Sequence, residues 1–359
     1  MLMDAFSDET PGIPVRYRCD GKLFNPRRLQ AVTKVTETVI RDLLFADDCA
    51  LNATTEHEMQ QEMDNFSSAC DNFGLTISTK KTEVLHQPAP GNEYQEPNIM
   101  VKGQRLEAVE HFTYLGSTLS RSATVDAEVN SRIAKASSAF GRLQKTVWDR
   151  RGIQQQTKIK VYKAVVISTL LYGCETWTIY RRHEKLLQHF HLRCLRSILN
   201  IRWQDKIPDT EVLERAQLPG VIATIRKAQT RWAGHVSRMP NSRIPKQLFY
   251  GELAHGERKV GGQRKRYKDT LKVYLKDFEI DVDNWETLAS DRPAWRSLIY
   301  KGATLSEARR LETAKEKRRT RKARAANAAN NPPTHWCQTC GKGLHARIGL
   351  ISHMRTHNI

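Results

Sequence analysis

Two cysteines and two histidines near the C-terminus have the spacing of metal ligands. This spacing lets a small hairpin supply two thiolates and one helix supply two imidazoles, which together close a tetrahedral zinc site. Leu344 and Leu350 stand at the two positions expected for the apolar core of such a finger. Because zinc contributes on the order of 10 kcal/mol to folding such units, we expect the segment to be unfolded without it. The predicted ligands are Cys337, Cys340, His353 and His357.

The helix of this finger offers little for reading bases. The positions that usually touch base edges are Ala346, Gly349 and Ser352, whose side chains are short or absent. Arg347 and Arg355 can contact phosphates instead. We therefore expect the finger to anchor nucleic acid with poor base specificity. The alternative is a finger that only caps the terminus or binds protein.

Asp47 and Asp48 are the second set of residues that could carry chemistry. They lie between two short apolar runs in residues 38–52, TVIRDLLFADDCALN, a pattern that predicts two strands meeting at a tight acidic turn. Adjacent carboxylates at a hairpin tip can hold a divalent cation such as Mg²⁺ for phosphoryl transfer. An ordinary Asp-rich turn is the alternative.

Two clusters of basic residues could contact phosphates. The first follows Gly261-Gly262, and its predicted nucleic-acid-binding residues are Arg264, Lys265, Arg266 and Lys268. The second is a basic arm from Arg309 to Arg324, with nine Lys or Arg and two Glu. A nuclear localisation signal or a solvated helix face would have the same composition. The predicted contacts of the arm are Lys317, Arg318, Arg319, Arg321, Lys322 and Arg324.

His183, His189, His191 and Cys194 form a weaker cluster of metal-ligating residue types. His189 and His191 lie two residues apart, so they face different sides of a helix. Core and surface roles are therefore favoured over a second zinc site.

The net charge favours a polyanionic partner, RNA or DNA. The 359 residues carry a net charge of +19, distributed as −8 over residues 1–130 and +27 over residues 131–359. Seven cysteines without regular spacing fit a reducing compartment. No stretch approaches the roughly 20 apolar residues of a membrane helix, and the N-terminus lacks the order of a signal peptide. We expect a soluble nuclear or cytoplasmic protein that is neither secreted nor bound to a membrane.

The elements that must position these residues change type along the chain. Thr55 and Glu58 form a capping box that opens a helix ending at Gly74, and short strands are predicted at 75–77, 83–86, 99–101 and 112–115. Helical periodicity dominates from Asp126 onward, and Thr304 with Glu307 predicts a further helix start. The predicted fold is an α+β N-terminal part, a mainly α-helical region, a basic helical arm and a small ββα zinc finger. The predicted boundaries are 1–120, 121–300, 301–334 and 335–359.

Several of these motifs together resemble a known family. Residues 45–48, FADD, between two apolar strands and followed by a helix and then GLTISTKKTE at 74–83, resemble the reverse transcriptases of non-LTR (LINE-type) retrotransposons. FTYLGS at 112–117 is similar to the family's segment leading into the thumb. LYGCETW at 171–177, RWAGHV at 231–236, and the basic cluster with Asn284-Trp285 and Asp291-Arg292 are similar to its C-terminal region, which the finger follows.

The resemblance implies catalytic roles for part of this chain. Asp47 and Asp48 match hairpin aspartates that help to bind two Mg²⁺ ions, and Lys81 matches a lysine near the phosphates of the incoming nucleotide. Such polymerases also need a third carboxylate from an earlier palm strand. Asp4, Asp8 and Asp20 are the candidates, but their surroundings do not match the family's motif.

The resemblance leads us to expect a C-terminal fragment of an RNA-directed DNA polymerase, with the end of the palm, the thumb and the finger. It would bind zinc and RNA or DNA, form a ribonucleoprotein with element RNA, and lack polymerase activity as this chain alone. The oligomeric state stays open. One alternative is an active or complemented reverse transcriptase using two Mg²⁺ ions; the other is a host zinc-finger protein derived from such an element.

Overall fold

The computed structural model describes residues 11–89, 91–255, 265–330 and 332–357. The chain divides into two compact units, Met1–Leu305 and Ser306–Ile359. None of the helices in the described ranges combines the length and apolar character needed to cross a membrane.

The first unit is mixed α+β, with short strands early in the chain and helices later. Its strands are β1 Ile13–Tyr17, β2 Thr36–Ile40, β3 Asp42–Phe45, β4 Asp48–Leu51, β5 Glu83–Val84, β6 Met100–Val101, β7 Gln104–Arg105, β8 Glu107–Ala108, β9 His111–Tyr114, β10 Ser117–Ser120 and β11 Glu252–Leu253. Its helices are α1 Glu56–Asn72, α2 Asp126–Arg142, α3 Gln155–Val161, α4 Ser168–Leu170, α5 Arg181–Ile198, α6 Asp209–Ala216, α7 Val221–Ser237, α8 Ile244–Tyr250, α9 Tyr267–Asp277 and α10 Trp285–Ser290.

One long helix and a small ββα unit complete the chain. Helix α11 is Arg292–Asn330, so it begins in the first unit and continues into the second. The second unit then has β12 His335–Trp336, β13 Gly343–Leu344 and α12 Arg347–Met354. The coarse prediction of an α+β fold ending in a Cys2His2 cluster is confirmed.

Helix α1 begins where its capping box predicts. The Thr55 hydroxyl accepts from the Glu58 N–H at 3.2 Å, and the Glu58 carboxylate accepts from the Thr55 N–H at 3.0 Å. These two bonds satisfy N–H groups that have no partner within the helix. Gly74, with φ +67°, lets the chain leave the helix in the left-handed region.

A three-stranded antiparallel sheet connects early and late parts of the first unit. Strand β1 pairs with β2 along its whole length and with β11, where Val15 lies opposite Leu253. Leu23 is buried in a core shared with Trp285 and Trp295. Residues on both sides of the predicted boundary at 120 therefore share one sheet and one core.

Two motifs from the helical region meet in that core. Gly234 of α7 packs directly against the Trp295 ring of α11, and a Cβ placed on Gly234 would lie 2.1 Å from Trp295 Nε1. Trp295 is 1% exposed. The glycine in RWAGHV is thus required by the close approach of this indole.

Two predicted elements differ from the structure. Residues 75–77 form no strand, because the Leu75 N–H caps α1 by donating to the Cys70 carbonyl at 2.8 Å. The helix start predicted at Thr304 is also wrong. Helix α11 passes through it, and the Thr304 hydroxyl bonds the Tyr300 carbonyl one turn earlier. The capping signal is overridden because Trp295 and neighbouring apolar residues already hold the preceding turns in the core.

Candidate functional site

The four predicted zinc ligands converge in the second unit. Their ligand atoms all lie within 4.8 Å of one another. Cys340 Sγ lies 3.0 Å from His353 Nε2, Cys337 Sγ lies 3.5 Å from His357 Nε2, and the two Nε2 atoms are 3.1 Å apart. A tetrahedron with bonds of about 2.0–2.3 Å has edges of about 3.3–3.8 Å, close to these separations. The group could therefore hold a metal ion such as zinc.

Local turns place each ligand. Strands β12 and β13 pair through His335 and Leu344, and the Cys337 N–H donates to the Lys342 carbonyl at 2.9 Å. Gly341, at φ +69°, closes the turn between the two cysteines and the second strand. Helix α12 carries His353, and His357 follows in the 3-10 turn Arg355–His357. This is the ββα arrangement that the spacing predicts.

The Cys337 thiol is prepared for a metal. Its side chain is 2% exposed, and burial by itself raises the pKa of a thiol. Hydrogen bonds from the backbone of Cys340 and Thr339, and contacts with the Cys340 and His357 side chains, outweigh burial and lower the pKa of Cys337 to about 6. The thiolate, which is the metal-binding form, is therefore present at neutral pH.

The outer face of the finger helix is apolar rather than polar. Ile348 is 80% exposed, and Ile351 and Met354 are also exposed. Arg347 and Arg355 are exposed near the two ends of α12. Their predicted contacts with phosphates stay a prediction.

The acidic hairpin forms as the two apolar runs around Asp47 and Asp48 predict. Strands β3 and β4 are antiparallel, with Phe45 opposite Asp48, so Ala46 and Asp47 are the two turn residues. Ala46 has φ +54°, as a tight two-residue turn requires. Asp47 and Asp48 are both exposed at this tip. The first residues of the predicted hairpin, up to Ile40, belong instead to β2.

Among the described residues, no third carboxylate lies close to Asp47 and Asp48. In those ranges the Cys/His cluster is the one group of three or more potential metal ligands. Of the candidates, Asp20 accepts from Nε and Nη2 of Arg18, both at 2.7 Å, and Asp4 and Asp8 lie outside the described residues. Lys81 is exposed in the turn after α1. The Mg²⁺ site and the catalytic role of Lys81 stay predictions.

A buried carboxyl group beside the hairpin was not found from the sequence. Glu62 of α1 is 1% exposed, and neither of its oxygens has a hydrogen-bond partner among the described residues. Burial, then the charges of Asp42 and Glu58, raise the pKa of Glu62 to about 7. The available signal was its position next to Met63, on the apolar face of the predicted helix.

Replacing this carboxyl should change how stability depends on pH. The folded protein holds the Glu62 proton up to about pH 7, whereas an unfolded Glu releases it near about pH 4.3. The free energy of unfolding therefore falls as pH rises through this window, and at pH 8 it is lower by about 2–3 kcal/mol than at pH 5. We expect Glu62→Gln to be stabilised relative to wild type by that amount more at pH 8 than at pH 5, measured by urea unfolding.

The control for this measurement has the opposite sign. Glu58 accepts hydrogen bonds from Thr54 and Thr55, which lower the pKa of its carboxyl. Glu58→Gln should therefore lose stability at neutral pH and recover it only in acid. Equal stability differences for Glu62→Gln at pH 5 and pH 8 would contradict a buried, proton-binding Glu62.

The basic arm has two distinct faces in α11. On one side of the helix, Glu312 pairs with Lys315 at 3.3 Å and Glu316 pairs with Arg319 at 2.9 Å. Residues 317, 321 and 324 share another face, because steps of four and three residues return to one helical face. These three are Lys317, Arg321 and Arg324, which are exposed and have no ion pair among the described residues. We call them the basic stripe.

The remaining predicted contacts of the arm are less uniform than the sequence suggests. Arg318 lies beside the basic stripe, whereas Lys322 follows Arg319 by three residues and lies on the ion-paired face. Arg319 is held by Glu316, so a phosphate would have to displace that carboxylate. The i,i+3 spacing of the two residues is a signal for this pairing that the sequence already contains.

The first basic cluster is largely engaged within the protein. Lys265 lies 5.3 Å above the Tyr180 ring, and Arg266 pairs with Asp269 at 3.0 Å. Lys268 donates to the Gly251 carbonyl at 3.0 Å, and burial lowers its pKa to about 8. Arg264 lies outside the described residues. The described members therefore have structural partners, and phosphate contacts by them stay a prediction.

Two of the three histidines of α5 have protein partners. His191 is buried and lies 2.9 Å from the Tyr162 hydroxyl. His183 is buried and lies 2.8 Å from Asp126. These contacts give both side chains roles in packing α5 against the preceding helices.

Comparison with known proteins identifies distant homologues of two kinds. A transposon-derived protein of Caenorhabditis elegans is 23% identical over 282 residues, which cover 74% of this chain and 98% of that protein. The RNA-directed DNA polymerases from mobile element jockey of Drosophila funebris and Drosophila melanogaster are each 22% identical, over 222 and 188 residues. No family model and no solved structure matches the chain.

The coverage of the polymerases is partial. The matched regions are 59% and 50% of this chain but only 24% and 20% of the two polymerases. The chain thus matches at most about a quarter of each polymerase's length. The predicted resemblance to retrotransposon reverse transcriptases is confirmed at this level of distant similarity.

Proposed function

We propose that this protein is a nucleic-acid-binding C-terminal part of a retrotransposon RNA-directed DNA polymerase. It binds RNA or DNA through helix α11 and a zinc-loaded C2H2 finger, and it does not polymerise alone. The proposal includes the end of a polymerase palm at the acidic hairpin, the predicted boundaries as divisions of the sequence rather than of separate cores, and residence in the nucleus or cytoplasm. A complex with element RNA follows from the same reasoning.

The observation that carries this proposal is the separation of charges on α11. Lys317, Arg321 and Arg324 leave three cations on one helical face, while Glu312 and Glu316 are each paired with a basic residue of the arm. A continuous stripe of unpaired cations suits the regular phosphates of a nucleic-acid backbone. The potential metal site lies in the same compact unit, which supports a shared binding role.

The basic stripe can be tested against an equal change of net charge. We expect Arg321→Gln/Arg324→Gln to weaken oligonucleotide binding and to reduce the slope of log K against log salt by about 1.4–1.8, since each lost phosphate contact removes roughly 0.7–0.9. Lys315→Gln/Arg319→Gln removes the same charge from the ion-paired face and should leave the slope nearly unchanged. Fluorescence anisotropy at several salt concentrations measures both.

Two outcomes would contradict the proposal. Equal losses for the two double variants would mean that net charge, and not the basic stripe, governs binding. Primer extension on an RNA template with Mg²⁺, abolished by Asp47→Ala, would instead favour the active reverse transcriptase. This second function is favoured by one observation, the exposure of Asp47 and Asp48 on a tight turn. If the chain is instead a host zinc-finger protein derived from such an element, we expect it to bind nucleic acid without element RNA.

A further inference from the structure

Trp203 is the most exposed of the large apolar side chains described in this protein, at 82%. Trp148, Trp177, Trp285 and Trp295 are buried, which is the usual state of so large an apolar ring. Trp203 lies in the loop between α5 and α6, in the 3-10 turn Trp203–Asp205. The fold thus leaves this indole in water.

The loop that carries Trp203 is closed at its base by one residue. The Arg196 carbonyl accepts from the Ile201 N–H at 2.9 Å, and its guanidinium donates to the Ile207 carbonyl at 2.8 Å. Arg196 also pairs with Asp209 at 2.9 Å. The two ends of the loop are therefore fixed to the same arginine of α5.

The tip itself is held in one conformation. The Asp205 carboxylate accepts from the Arg202 N–H at 2.7 Å, and the Lys206 N–H donates to the Trp203 carbonyl at 3.3 Å. Lys206 adopts φ +50°, which turns the chain back toward α6. An exposed ring on a pre-organised turn loses little entropy when it binds a ligand.

Two cations lie close to Trp203 in the chain. Arg202 and Lys206 are exposed and have no ion pair among the described residues. Asp205 is the acidic residue of the tip, and its carboxylate is turned to the backbone. An exposed aromatic ring on a turn that also carries two unpaired cations complements a base with its adjoining phosphates.

We propose that the Trp203 tip is a stacking site for an unpaired base of single-stranded nucleic acid, with Arg202 and Lys206 at the flanking phosphates. This site rests on the proposed function, because it specifies which form of nucleic acid the protein prefers. Bases inside a duplex stack on each other and are not accessible to an indole. The basic stripe contacts phosphates of either form, whereas the Trp203 tip selects single strands.

The test compares single strands and duplexes with matched variants of the full zinc-loaded chain. Base stacking on an aromatic ring contributes about 1–3 kcal/mol, so Trp203→Ala should weaken binding of a labelled 20-nucleotide single strand about tenfold. Binding of a blunt duplex of the same length should change less than about twofold, and Trp203→Phe should restore most of the single-strand affinity. Tyr300→Ala is the matched control and should leave single-strand affinity unchanged. Its ring is also exposed, at 61%, but Lys227 already lies 4.6 Å from the ring centre.

The outcomes separate this inference from the proposed function. Salt-dependent binding by wild type with equal single-strand affinity for Trp203→Ala would overturn the stacking site and leave the proposed function standing. Absence of wild-type binding to every oligonucleotide would overturn both. An exposed tryptophan with flanking cations also suits a membrane surface; loss of binding to anionic phosphatidylserine vesicles in Trp203→Ala, without loss of single-strand binding, would overturn the nucleic-acid assignment. Unchanged melting of Trp203→Ala shows that the variant is folded.

Discussion

Removal of the metal is expected to unfold the Cys337–His357 segment while the first unit stays folded. Strands β12 and β13 have two residues each, and Cys337 is the one described apolar residue of this segment that is buried. So little apolar burial cannot offset the chain entropy of folding, and the metal supplies on the order of 10 kcal/mol instead. Chelation should make the segment sensitive to protease within minutes, and added Zn²⁺ should restore protection.

Single substitutions sharpen this test. Cys340→Ser removes a ligand and should give the same protease sensitivity even with zinc present. Cys19→Ser changes a half-buried cysteine outside the cluster and should leave the segment protected. A segment that resists protease equally with and without chelator would show that the Cys/His group is not a structural metal site.

Gly234→Ala is expected to destabilise the first unit by about 3 kcal/mol. The added methyl would lie 2.1 Å from Trp295 Nε1 and 2.6 Å from another atom of the same ring. Because Trp295 is buried against Trp285, with ring centres 6.0 Å apart, the indole has no free space into which to move. Thermal unfolding followed by tryptophan fluorescence measures the loss.

Gly141→Ala is the matched control in the same unit. Gly141 lies in helix α2, and a Cβ placed on it meets no atom within 4 Å. Alanine there should raise stability by about 0.5–1 kcal/mol, since it lowers the backbone entropy of the unfolded chain. Similar stabilities for both variants would mean that the contact between Gly234 and Trp295 does not hold the core together.

Features governed by local sequence were predicted well. The capping box at Thr55, the tight turn at Asp47 and the Cys/His spacing each involve residues close in the chain, so short-range rules suffice. In each case the geometry of a few neighbouring residues fixes the element.

Features governed by distant contacts were not predicted. The clash that requires Gly234 involves a tryptophan some 60 residues later, and Thr304 lost its capping role because the helix is already held by the core. The solvent exposure of Trp203 depends on which helices leave it uncovered. Glu62 has an ordinary position in the sequence, and only its burial makes it unusual. Such properties depend on tertiary packing, which periodicity does not encode.

The pairing of β1 with β11 sets an order of events during synthesis. Val15 reaches its partner Leu253 only after more than two hundred further residues have been made. Contacts of such high sequence separation form late and slowly. During synthesis, β1 therefore keeps one edge unpaired until Leu253 has been made. Chains released before Leu253 would keep that edge available to other strands.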